Sequence, residues 1–350
     1  MSRVGATARS AVAALAVALA VATAVLVPVL VDGGGGGRGD RDRLGHSVPA
    51  APGQEAGAGA RGGSGSGAGE QEADDDCQKE ESLRPAGPKA PDGPAVQRIK
   101  KRGKLVAGVD QNSYRWAYRD TDNLPPPGGE LGLKGFDIDL VRAIAKDILG
   151  SPDAVIYRTI PTERRMPALQ DRDVDVVVRT MTITCDRIKQ VAFSTTYFKA
   201  GQQVLAPKGS KVTGFDDSLR GRKVCTAKSS TGKDELDKNR HGVREVVTAA
   251  SQLDCLVKLQ LGEVDAVITD SALAAGQAAQ DPTVHLVGGT FTREPYGVAM
   301  NLADTDLVRR VNKVLEDYRK GGWQLSYRKW LADYLPADNP RPPPAMYKKE

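Results

Sequence analysis

Apolar and polar positions divide this chain into three unequal stretches. Ala11 to Val31 is an uncharged run of about 21 residues dominated by Ala, Val and Leu, long enough to cross a bilayer at a rise of about 1.5 Å per residue. Asp32 to residue 97 shows no apolar period; Gly, Ala, Ser and Pro prevail, with glycines crowded at Gly33 to Gly37 and Gly62 to Gly69. That composition predicts a disordered linker. From residue 98 to about Leu335 short apolar runs alternate with helical stripes. Strands are predicted at Lys104–Val109, Ala154–Thr159, Val174–Val178, Lys223–Thr226 and Ala266–Thr269, and helices at Phe136–Leu149, Arg165–Gln170, Leu253–Leu261 and Leu307–Arg319. In the first helix Phe136, Ile138, Leu140, Val141, Ile144, Ala145 and Ile148 recur at helical spacing before Gly150 stops it. Val174–Val178 is apolar on both faces, as in a parallel sheet.

Strands alternating with helices predict an α/β architecture of two lobes with open parallel sheets. The first lobe is expected at residues 98–200, completed by 292–336, the second at 201–291, and a Pro-rich tail at 337–350. In such sheets ligands lie beyond the carboxyl ends of the strands, so functional residues should follow strands directly.

Composition narrows the picture. No Phe, Trp or Tyr precedes Tyr114, so the N-terminal stretches cannot bury enough apolar area to offset their ordering entropy. Arg3 and Arg9 precede the apolar run and Asp32 follows it, which places the rest of the chain outside the cytoplasm. The run reads as a membrane anchor; the rival is a cleaved signal peptide with its site at Ala22-Thr23-Ala24. The net charge of +5 is spread over interspersed acids and bases, and no basic run carries the aromatics of a nucleic-acid surface. His46, His241 and His285 are isolated, so no metal cluster with ligand spacing is visible and no cofactor is expected. Asp110, Glu163 and Asp270 have the chemistry of an acid or base, but no nucleophile triad or phosphate loop accompanies them.

Five segments carry a family resemblance. They are Gly135-Phe136-Asp137-Ile138-Asp139-Leu140, Asp175 through Arg187, Phe193-Ser194 with Tyr197, Leu219 through Val224, and Gly262 through Asp270. Together and in this order they resemble the amino-acid-binding family of ABC-transporter extracellular solute-binding proteins, family 3. Within it the chain is most similar to actinobacterial glutamate-binding proteins. The resemblance implies a type II periplasmic-binding-protein fold, two lobes joined by a two-strand hinge. It also implies a monomer that delivers a free amino acid, such as glutamate, to a permease and ATPase. A sensing module or a dehydratase-like enzyme on the same fold are the alternatives.

Every free amino acid presents a carboxylate and an ammonium. Arg187 and Asp270 supply the complementary pair: a guanidinium matches a carboxylate with two charge-assisted bonds. The resemblance assigns Arg187 to the α-carboxylate and Asp270 to the α-ammonium, from opposite lobes, with Thr180, Thr182, Ser230 and Thr231 as neutral donors. Ser229 stands where the family has Gly, which is strained if φ is positive there. Arg179 and Lys228 are extra cations that either face solvent or, with Arg165 and Arg115, meet an acidic ligand side chain. Asp110, Tyr114 and Trp116 are candidates for the pocket wall, the aromatics equally for core.

Four cysteines in an extracytoplasmic chain favour oxidation. Cys225 ends a strand and Cys255 lies on the helix expected to pack against it, so these two should pair. By elimination Cys185 then pairs with Cys77. Four free thiols or swapped pairs are the alternatives.

Overall fold

The structure is a computed structural model that describes residues 77–87, 90–119, 132–335 and 340–349. The anchor at Ala11–Val31 and the linker up to residue 76 lie outside the described residues. Among the described residues no helix is long and apolar enough to cross a membrane.

The first lobe begins with α1 (Pro94–Arg102), β1 (Leu105–Val109), the short strands β2 (Asn112–Ser113), β3 (Ala117–Arg119) and β4 (Leu133–Lys134), and α2 (Phe136–Leu149). It continues with β5 (Val155–Thr159), α3 (Arg165–Gln170), β6 (Val176–Val177), β7 (Val191–Phe193) and β8 (Phe198–Ala200). The second lobe comprises β9 (Gln202–Pro207), β10 (Lys223–Ala227), α4 (Thr231–Lys238), β11 (Glu245–Ala249), α5 (Gln252–Gln260), β12 (Ala266–Asp270), α6 (Ser271–Gln280) and β13 (Val284–Val287). The chain then returns through β14 (Glu294–Tyr296), β15 (Ala299–Asn301), α7 (Thr305–Arg319) and α8 (Gly322–Trp330).

Each lobe has one five-stranded sheet, ordered β5-β1-β6-β15-β7 in the first and β11-β10-β12-β9-β13 in the second. The expectation of purely parallel sheets is corrected. β15 runs antiparallel to β6 and β7, and β9 runs antiparallel to β12 and β13. Each of these strands enters its lobe directly from the crossover, without the helix that a parallel connection needs. The crossovers themselves, β8 and β14, pair antiparallel as a two-stranded hinge.

Buried clusters flank both sheets. Trp116, fully buried, stands edge-on to Phe136, Phe198 and Tyr296, so this aromatic belongs to the core beside the hinge and not to a pocket wall.

The linker reading ends too late. Cys77–Gly87 packs on the first lobe: buried Ser82 donates from Oγ to the carbonyl of Phe193 at 2.7 Å and accepts from Asn312 Nδ2 at 2.8 Å. The Pro-rich tail also folds back on this lobe. Tyr347 pairs with Ser82 as a parallel bridge, and Arg319 Nε donates to the carbonyl of Pro343 at 2.8 Å. Composition missed both because these segments bury few apolar side chains and are held by backbone and polar contacts.

Both disulfides form as expected, Cys77–Cys185 and Cys225–Cys255. The second joins β10 to α5 inside the second lobe, and the first ties the N-terminal strap to the turn before Arg187. Neither crosses between lobes. Chain-entropy estimates give roughly 3.5–4 kcal/mol for the shorter loop and about 4.5–5 for the longer. Non-reducing peptide mapping should recover these two pairs, and Cys225→Ser with Cys255→Ser should lower unfolding stability by about 2–4 kcal/mol in denaturant titration.

Candidate functional site

The predicted residues converge where the carboxyl ends of both sheets face each other. Three turns build the site.

The first turn leaves β6. Thr180 adopts φ +41°, a left-handed conformation unusual for a β-branched residue. It is held from behind by Asp137, whose carboxylate accepts from the Thr180 N–H at 3.0 Å and from the Tyr197 hydroxyl at 2.9 Å. Gly135, immediately before α2, is required here: with φ +132° a Cβ would meet the carbonyl oxygen of Trp116 at 2.3 Å. Burial pushes the Asp137 carboxyl up to about 7, against the lowering effect of those hydrogen bonds. The turn ends at Arg187, which opens a single 3-10 turn and donates from Nη1 to the carbonyl of Thr182 at 2.9 Å.

The second turn leaves β10. Ser229 has φ +57°, so the residue that replaces glycine does adopt the strained conformation. Its carbonyl accepts from Arg187 Nη2 at 3.2 Å and from Arg165 Nη2 at 3.4 Å, both reaching across from the first lobe. Ser230 caps α4: its Oγ accepts from the Lys233 N–H and donates to the Ala227 carbonyl. That engagement leaves the backbone of the turn, not the Ser230 side chain, turned to the cleft's chemistry, in keeping with the expectation that its N–H groups meet a carboxylate. Thr231 begins the helix, where its N–H has no intrahelical acceptor. The backbone packs closely here, since a Cβ on Gly232 would meet Gln202 Oε1 at 2.8 Å.

The third is the end of β12. Asp270 accepts from the Tyr296 hydroxyl at 2.6 Å and from the Gln202 amide. Burial raises its carboxyl to about 7, and the neighbouring Glu294 charge adds to the effect, while Arg165 and Arg187 oppose it. Burial also lowers both arginines from their ordinary range, Arg165 the further of the two, with repulsion from Arg187 and Arg179 contributing.

The extra cations sort themselves. Arg179 is buried and closes an ion pair with Asp110 at 3.0 Å, so it neither faces solvent nor remains free for a ligand. Asp110 also accepts from the Gln111 N–H and the Ser113 hydroxyl; it shapes the loop after β1. Lys228 bridges the lobes to Glu163 at 2.5 Å, largely exposed. Arg115 pairs with the exposed Asp333 at 2.8 Å. Tyr114 stacks loosely with Tyr118 and Tyr334 and lies against Gly276 of α6, at the lobe boundary and outside the cation cluster. Arg165 and Arg187 are both buried and donate to backbone carbonyls.

Sequence reasoning missed four members of the site. Asp137 was visible in the Gly-Phe-Asp segment as an acid in an apolar stripe. Gln202, Glu294 and Tyr296 lie on or beside the crossover strands and carry no local signal. Glu294 accepts from Thr182 Oγ1 at 2.5 Å and Thr231 Oγ1 at 2.8 Å, one from each lobe.

Two α/β lobes on a two-strand hinge, with paired charges where the sheet ends meet, define a type II solute-binding protein. Residues 105–333 match the model of the bacterial extracellular solute-binding proteins, family 3, and the chain belongs to that family. It is similar to the ABC transporter glutamine-binding protein GlnH of Bacillus subtilis, with 34% identity over 67% of this chain and 84% of the relative. It is also similar to the glutamine-binding protein of Geobacillus stearothermophilus, with 36% identity over 58% of this chain and 74% of the relative. Among solved structures an ancestral arginine-binding protein bound to glutamine superposes with TM-score 0.59 and 36% identity, covering 66% of this chain and 98% of that one.

Arg187→Ala should abolish ligand binding while leaving the thermal unfolding of the free protein within a few degrees. Removing one partner of a buried charge pair costs about 2–5 kcal/mol, roughly 30-fold to several thousandfold; calorimetry showing less than a threefold loss would remove Arg187 from the site. Asp270 yields a pH test. An ammonium needs its ionised form, so binding an amino acid lowers the carboxyl from about 7 and expels a proton. Affinity should therefore fall by up to about tenfold per unit as pH drops below 7 and flatten above it. Calorimetry in buffers of different ionisation enthalpy reads the released proton directly.

Proposed function

We propose that the chain is the extracytoplasmic receptor of an ABC importer and closes on one free amino acid with a carboxylate or amide at the end of its side chain. That class comprises glutamate, aspartate, glutamine and asparagine. The carrying observation is the pair of buried guanidinium groups, Arg165 and Arg187, facing Asp270 with no carboxylate salt bridge of their own. A buried charge needs a partner, and an amino acid of this class brings two groups that fit. Its α-carboxylate goes to Arg187, its ammonium to Asp270, and its side-chain oxygen to Arg165. Thr182 and Thr231 line the cleft from opposite lobes, their hydroxyls donating to Glu294.

The glutamine-binding relatives support an amino acid of this length. Of the four cations offered to an acidic side chain, Arg165 alone has no carboxylate partner, since Arg179, Lys228 and Arg115 each have one. The role is binding and delivery, without turnover: of the acids that suggested chemistry, Asp110 pairs with Arg179, Glu163 with Lys228, and Asp270 receives Tyr296 and Gln202. The receptor acts as a monomer, handed to a permease and ATPase and tethered through Ala11–Val31.

Titration of the full-length protein, in detergent, against the twenty amino acids tests the class; tightest binding of leucine, lysine or histidine would overturn it. Arg165→Met should weaken the best ligand roughly tenfold to a hundredfold, the range for hydrogen bonds to a charged group, and leave alanine unchanged. Equal loss for both would show that Arg165 serves the fold instead of the ligand's side chain.

A further inference from the structure

Glu294 is a buried carboxylate fixed on the hinge strand β14. Its Oε2 accepts from Thr182 of the first lobe at 2.5 Å and from Thr231 of the second at 2.8 Å, and its Oε1 accepts from Thr292 at 2.8 Å. All three donors are neutral hydroxyls, so its charge acts through space on the cleft. Glu294 is the strongest opposing charge felt by Arg187 and the strongest like charge felt by Asp270.

We propose that Glu294 is a selectivity residue that weights the cleft toward a side-chain amide over a side-chain carboxylate. The inference rests on the ligand class proposed above and chooses within it. Arg179 and Asp110 cancel as a closed pair, leaving Arg165 and Arg187 against Asp270 and Glu294, with Asp137 behind the Thr180 turn and Asp234 on α4 adding negative charge around them. A zwitterion with a neutral side chain enters that set without changing its balance. Glutamate or aspartate adds one uncompensated negative charge in a dehydrated site, where Coulomb terms are several times those in water. The same carboxylate already holds the hydroxyls of Thr182 and Thr231, so neither is free to compensate that added charge. Without Glu294 the cleft would carry one negative charge fewer, and an acid would fit better.

The test is the ratio of glutamine to glutamate affinity at pH 7.5, by calorimetry on the full-length wild type and Glu294→Gln. The wild type should prefer glutamine by about tenfold or more, and the variant should lose most of that preference through tighter glutamate binding, a shift of roughly tenfold. A ratio unchanged within twofold would overturn the proposal. So would equal weakening for both ligands, which would make Glu294 a partner of the ammonium. The wild-type ratio decides even if the variant fails to fold: a tenfold preference for glutamate there excludes the proposed bias. Binding of neither ligand by the wild type would instead remove the ligand class, a result distinct from discrimination that survives Glu294→Gln.

Discussion

Burying a guanidinium without a carboxylate beside it is the constraint on which the site turns. Arg165 and Arg187 are both withdrawn from water and both lean on one carbonyl, that of Ser229 across the cleft. A carbonyl dipole compensates only part of a full charge, and burial lowers the proton affinity of both groups. Such a cleft is primed for an anion.

The scaffold delivers those charges through strand ends and strained turns. Thr180 and Ser229 both sit at positive φ, one in each lobe, and each places a backbone group toward its partner. Conformations of this kind persist only where surrounding contacts over-determine them. For Thr180 the determinant is Asp137 with Tyr197 behind it; for Ser229 it is the cap of α4 by Ser230 and the two arginines. The disulfides stiffen each lobe separately, leaving the β8–β14 pair as the covalent and hydrogen-bonded connection through which the lobes move. Among the described residues, the strap at Cys77–Gly87 and the tail both sit on the first lobe.

Much of this was legible in one dimension. The helices Phe136–Leu149 and Arg165–Gln170 stand where the apolar stripes placed them, because a 3.6-residue period with a stop glycine is a local property. The strands β1, β5, β10 and β12 also stand where the short apolar and β-branched runs placed them. Asp270 was identifiable from its place at the end of β12, and Arg187 from the family resemblance and the chemistry of its side chain. Cys225–Cys255 followed from strand and helix positions, and Cys77–Cys185 by elimination.

What only the tertiary structure decided is which charges are already spent. Arg179, Lys228 and Arg165 look alike along the chain, yet the first meets Asp110 and the second Glu163, partners 69 and 65 positions away, while the third meets carbonyls. Glu294 shows the same limit from the other side: it reaches Thr182 and Thr231 from a hinge strand distant in sequence from both. The sequence by itself determined the elements, the lobes and the strand-end residues, since these depend on local periodicity. The net charge available to a ligand depends on long-range pairing in a medium where distance and burial set the strength of every interaction, and that is a property of the folded cleft alone.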